Sequence, residues 1–175
     1  MNKKRILSIF ASIILGLAII TLSLSGYYLN DENPSEITVN QRYVAEYVRI
    51  VDGDTAVFNI NGDKYKVRFI GIDTPESVKE NTPVEPYAKE ASNFTNEQLS
   101  KANEIIIETD SEANLYDNHE RLLGYIFVDG EFLQELLLEE GLAEVKYIHG
   151  DYKYLDELYA AQDLAKDQHL NIWSK

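Results

Sequence analysis

The chain of 175 residues contains no cysteine. That absence excludes disulfides, thiolate zinc sites and cysteine nucleophiles together. Histidine is scarce: His119, His149 and His169 are the only three, and no pair has the spacing of a zinc-binding helix. A metal bound by this chain must draw on oxygen or histidine, and a carboxylate site for a hard cation is the expected kind. Positive charge is also short, with 16 Lys and Arg against 30 Asp and Glu and a net charge of −14. Such a molecule repels polyanions unless charge is sorted locally or a cation intervenes. With 45% apolar and 26% charged residues, the chain can still bury one real core, and one catalytic domain is expected.

What is present begins with Asn2-Lys3-Lys4-Arg5, followed by an apolar run from Ile6 to Leu24 that carries no charge. A charged start and a greasy middle make an export signal. A run of this length can equally span a bilayer and stay there, so residues 1–25 read as a signal peptide or a membrane anchor, with residues 6–24 as the tether. Either reading places the rest outside the cytoplasm, secreted or anchored on the extracellular side. Residues 26–41 are polar, lack helical or strand period, and read as a linker. The domain is expected over 42–175, as a monomer.

Within it, Tyr43 to Val51, Thr55 to Ile60 and Lys64 to Ile72 are rich in β-branched and aromatic residues and predict strands. Asn61-Gly62 between the last two is a tight hairpin signal. Ile105 to Glu108 and Leu122 to Val128 predict two more strands. Tyr87 to Ala102 carries Ala88, Ala91, Thr95, Leu99 and Ala102 at spacings of three and four, which makes one buried helical face. Phe132 to Glu140, stopped by Gly141, and Tyr152 to Gln168 predict two further helices. The sum is an α+β, mostly β domain: a small antiparallel barrel of five strands with three helices packed on it.

Two acidic turns stand out, Asp52-Gly53-Asp54-Thr55 and Asp73-Thr74-Pro75-Glu76. Singly, each is ordinary turn chemistry. One hairpin joins their strands, however, so the start of the second strand and the end of the third lie close, and Asp54 and Asp73 can face one cation. Pro75 holds Thr74 extended, which lets the Thr74 carbonyl join them, with Glu76 one step further out. Clustered carboxylates repel one another, so a bound Ca²⁺ is expected to hold them together. Arg68 precedes the second turn and Arg121 precedes the fifth strand. An arginine in a strand is commonly an exposed polar face, yet a fixed guanidinium matches two phosphate oxygens at once. An in-line phosphodiester displacement needs cationic charge on the equatorial oxygens, a polarising metal and a group to orient water. These residues supply all three.

Val51-Asp52-Gly53-Asp54-Thr55, Val67-Arg68-Phe69 and Ile72-Asp73-Thr74-Pro75-Glu76 closely resemble the pattern of the staphylococcal nuclease (thermonuclease) family. So do Tyr87 to Thr95, Asp117 to Arg121, Gly141-Leu142-Ala143 and Leu170 to Ser174, a likeness running from about residue 43 to 174. The resemblance implies an OB-type five-stranded barrel with three helices. It also implies Ca²⁺ held by Asp54, Asp73 and the Thr74 carbonyl, with Asp52 supporting them from behind. Glu76 would be the general base, Arg68 and Arg121 would stabilise charge on the phosphate, and Tyr147 would help hold a terminal phosphate. DNA and RNA would both be substrates, cut to 3′-phosphorylated ends. A silent barrel that only binds nucleic acid or a protein is the alternative, but it has no reason to keep Arg68, Glu76 and Arg121 beside both aspartates. Where the family has lysine, tyrosine and glycine before the second arginine, this chain has Asn118, His119 and Glu120. His119 is the candidate replacement donor to phosphate. The loop Ser77 to Pro86 has Lys79 alone among Glu80 and Glu85. These departures predict weak ground-state binding and a strong demand for the divalent ion.

Overall fold

A two-residue turn at Asn61-Gly62, with φ of 54° and 93°, closes the hairpin between β3 (Thr55–Ile60) and β4 (Asp63–Phe69). Both residues tolerate that left-handed geometry, which matches the twist of the strands they join. The computed structural model describes residues 36–76 and 84–174. The leader, most of the linker and loop residues 77–83, with Lys79 and Glu80, lie outside the described residues.

Ahead of the hairpin run β1 (Arg42–Val44) and β2 (Glu46–Asp52); after it come β5 (Ile72–Asp73), β6 (Ile105–Glu108), β7 (Leu122–Val128), β8 (Glu131–Phe132) and β9 (Glu144–Val145). The helices are α1 (Ala88–Lys101), α2 (Leu133–Glu139) and α3 (Leu155–Asp167), each inside its expected span. Seven strands form one sheet in the order β1-β6-β7-β4-β3-β2, with β8 on β7; β5 and β9 pair separately. The domain is thus α+β and mostly strand, with three helices.

Two expectations are corrected. The main sheet is mixed, not antiparallel, because β4 and β7 run parallel with Val67 opposite Leu122. More than fifty residues, including α1 and β6, separate these strands and allow the crossover that parallel pairing needs. The third expected strand also breaks at Gly71, whose φ of 80° turns the chain, so Ile72 and Asp73 pair with β9 instead of continuing β4. The compact unit runs from Ile37 to Lys175. Ile37 is buried, and the Thr38 carbonyl accepts the Thr109 hydroxyl at 2.7 Å, which ties the end of the expected linker to the sheet.

Alternation along β4 sends Val67 and Phe69 into the core and puts Lys64, Lys66 and Arg68 on the other face. Phe58, Phe69, Ile107 and Ile126 meet Ala91 and Leu99 of α1, with Leu133 and Leu137 of α2 and Leu158 and Ala161 of α3 completing the core. Truncating a buried phenylalanine typically costs about 3–5 kcal/mol, whereas exposed ion pairs contribute about 0–1 kcal/mol. Apolar packing therefore holds the scaffold. One buried carboxylate, Glu108, staples β1 and β6 to the start of α3 by accepting Arg42 Nε at 2.6 Å, the Lys153 ammonium and the Tyr154 hydroxyl. Burial pushes its carboxyl up, but these hydrogen bonds together outweigh that and hold it below the ordinary range.

Candidate active site

The turn between β2 and β3 is wedged in place. A Cβ on Gly53 would lie 2.7 Å from Thr74 Oγ1 and 2.9 Å from Ala91 Cβ, and the Thr95 hydroxyl donates to the Gly53 carbonyl at 2.6 Å. Only glycine lets the turn sit this close to both Thr74 and α1. Gly53→Ala should accordingly cost about 1–3 kcal/mol through overpacking, read as a lowered Tm in thermal denaturation. An unchanged Tm would mean the turn has room to shift.

Wedging Gly53 buries its neighbour Asp54, which is 6% exposed. Asp54 Oδ1 accepts the Thr55 hydroxyl at 2.9 Å; Oδ2 accepts the Thr74 N–H at 2.9 Å and lies 3.1 Å from Arg68 Nη2. Burial pushes this carboxyl up, with the Arg68 charge and the Thr74 N–H acting against it. The same Arg68 Nη2 donates to Asp73 Oδ1 at 2.9 Å, while Nη1 is fixed on the Phe69 carbonyl at 3.0 Å. Two carboxylates from two turns therefore face each other across one nitrogen. Asp73 Oδ2 in turn accepts the Lys146 ammonium at 2.9 Å, and Lys146 also reaches Glu144 at 2.8 Å. Those bonds, Glu144's first and Asp73's second, push the ammonium above its ordinary range.

Arg68 and Lys146 offset the mutual repulsion of the two aspartates.

Around this pair, Asp52 Oδ1 accepts the Gly53 N–H at 2.9 Å and supports the turn from behind. Glu76 is half-buried; its N–H donates to Glu85 Oε2 at 3.0 Å, and the Glu85 N–H returns to the Glu76 carbonyl at 3.2 Å. Arg121 is oriented by Asp117, whose Oδ2 accepts Nε at 2.6 Å and whose Oδ1 accepts the N–H groups of His119 and Arg121 at 2.8 and 3.0 Å. Burial pushes the Asp117 carboxyl up, but the two backbone N–H groups and the guanidinium outweigh it and hold it low. Glu120, at φ 58°, takes the left-handed position of this turn. Tyr147 also has a positive φ, 60°, and its ring lies 5.7 Å from Arg68 Cζ.

Asp52, Asp54, Arg68, Asp73, Thr74, Glu76, His119, Arg121 and Tyr147 all line one cleft of about 910 Å³. Every residue singled out in the sequence thus meets the others. The cleft also holds Lys66 and His149, and Lys146 stands beside it on Asp73; none of these three was singled out. Lys66 was the legible one, two residues from Arg68 in the same strand, while the Lys146 contact spans 73 residues and leaves no local pattern.

An all-oxygen acidic pair, two held guanidinium groups and the Glu76 carboxylate line one cleft, a set of groups suited to hydrolysing phosphate diesters. Sequence comparison agrees with that class. The profile of the family described as Staphylococcal nuclease homologue matches residues 66–175. The thermonuclease of Staphylococcus hyicus is 36% identical over 165 residues, covering 93% of this chain and 95% of that protein. That of Staphylococcus intermedius is 37% identical with the same coverage, and endonuclease YncB of Bacillus subtilis is 41% identical over 128 residues, 73% of this chain and 60% of that protein. The chain belongs to the staphylococcal nuclease family.

Proposed function

We propose that the protein is a calcium-dependent, sugar-nonspecific nuclease that hydrolyses DNA and RNA to 3′-phosphate ends outside the cytoplasm, secreted or anchored through residues 6–24. The observation that carries this reading is the meeting of Asp54 and Asp73 across Arg68, with Arg121 in the same cleft. The OB-type barrel goes with it, β2, β3, β4, β7 and β6 being its five strands.

The donor set suits the ion. Asp54, Asp73 and the Thr74 carbonyl offer oxygen only, as Ca²⁺ requires. Among the described residues no three His, Cys, Asp or Glu side chains gather as a metal cage, so water and substrate oxygens would complete the shell. When bound, Ca²⁺ supplies Lewis-acid polarisation of the phosphoryl group.

The side chains do the rest. Glu76 takes a proton from the attacking water, whose oxygen bonds to phosphorus as the bond to the 5′ oxygen breaks and that oxygen gains a proton. Arg68 and Arg121 carry the growing charge on the equatorial oxygens. Tyr147 and His119, on the cleft's outer side, hold a terminal phosphate. Nothing in this set has to touch a 2′-hydroxyl, which suits both DNA and RNA.

Denatured DNA incubated with the purified protein and millimolar CaCl₂ should be digested, and a chelator should reduce cutting to background. Binding without cleavage under both conditions would instead identify a silent binding module. Cutting that survives chelation would remove the calcium requirement.

A further inference from the structure

The cleft accounts for one phosphate, but a nucleic-acid strand brings many, and the rest of this acidic molecule repels them. Positive charge is sorted onto β4. Lys64, Lys66 and Arg68 alternate along its solvent-side face, so successive charges stand about 6.6–7 Å apart. Cross-strand pairing puts Asn59 opposite Lys64, Val57 opposite Lys66 and Thr55 opposite Arg68. Arg49 of β2 is the next neighbour of Val57 and adds a fourth cation to the same face. Two acids share that face: Glu46 accepts the Asn59 amide at 3.2 Å at one end, and Asp52 stands opposite Thr55 at the cleft end.

The four cations are not equally engaged. Arg68 is committed to Asp54 and Asp73, just as Arg121 on the cleft's other side is committed to Asp117. Lys64 and Lys66 are exposed, and among the described residues neither has a carboxylate partner. Lys66 lines the cleft itself, and Lys64 continues the row towards the Asn61-Gly62 hairpin. Unpaired ammonium groups at a regular step, leading out of a phosphate-cleaving cleft, are the groove that tracks a single-stranded backbone.

We infer that the β4 row Lys66–Lys64 is a phosphate-binding track, which holds the nucleotides flanking the scissile bond of a single-stranded substrate. This rests on the nuclease reading of the cleft and assigns its extended substrate path. The track reads no bases. It supplies affinity through counterion release, and so offsets the repulsion from the acidic surface only where the strand passes.

The test uses the full domain carrying Glu76→Gln, to prevent cleavage, with CaCl₂ and a fluorescent oligothymidylate of about a dozen nucleotides, over a range of salt. Each phosphate contact on a single strand contributes about 0.7 to the slope of log K against log salt. K66Q and K64Q should each lower the slope by about that amount, and together by about twice as much. K66E should weaken binding further at every salt concentration. K101Q on α1, whose ammonium pairs with Glu97, should leave the slope unchanged. Circular dichroism confirms that each variant is folded. If the slope of the double variant equals that of the parent, the track is overturned while the nuclease reading stands. If the parent binds no oligonucleotide, both fall.

Discussion

Arg121→Ala should lower kcat by about 10³-fold, a loss of about 4 kcal/mol of barrier, while the protein should keep its Tm. The asymmetry follows from how Arg121 is held. Its guanidinium leans on Asp117, but Asp117 also accepts two backbone N–H groups, from His119 and from Arg121 itself, which remain after truncation. The turn keeps its shape and loses only the charge it presents. Arg68 is a poorer probe of chemistry, because its removal would strand Asp54 at 6% exposure without its cation. Arg121→Lys refines the result: a point charge in place of a planar fork recovers part of the loss, and full recovery would show that two-pronged contact is unnecessary. Steady-state kinetics on denatured DNA with a melting curve decide the matter. A variant that digests at the parental rate ends the role assigned to Arg121.

On the proposed role of Glu76 as base, Glu76→Gln should cost about 10²–10⁴-fold in turnover, because the amide keeps the shape of the carboxylate but could not accept the proton from water. KM and Tm should stay near the parental values. Glu76→Asp, one methylene short, should retain more activity than Gln. Equal activity in Gln and parent would mean that water is activated elsewhere in the cleft.

The convergence of these residues on one cleft was legible in the sequence for a physical reason. The two acidic turns flank one hairpin, and Asn61-Gly62 fixes that hairpin by local backbone preference alone, so Asp54 and Asp73 are brought together within about twenty residues. Helix faces such as Ala88, Ala91, Thr95 and Leu99 were equally plain from their spacing. Contacts made late in the chain were not. The parallel pairing of β4 with β7, the two-residue pairing of β5 with β9, and Lys146 on Asp73 each join distant segments with no periodic trace. The role of Asp117 was hidden differently, since an aspartate opening a turn looks the same whether or not it aims an arginine.

The shared nitrogen of Arg68 bears on what the proposed calcium requirement would mean for the fold. A protein whose aspartates were kept in place by calcium alone would come apart in dilute or calcium-poor water and would have to fold again. Here a built-in counter-charge sits between them, with Lys146 completing it. Under the proposed calcium requirement, depletion of the ion would idle the catalyst without dismantling it, and work would resume as soon as the mineral returned.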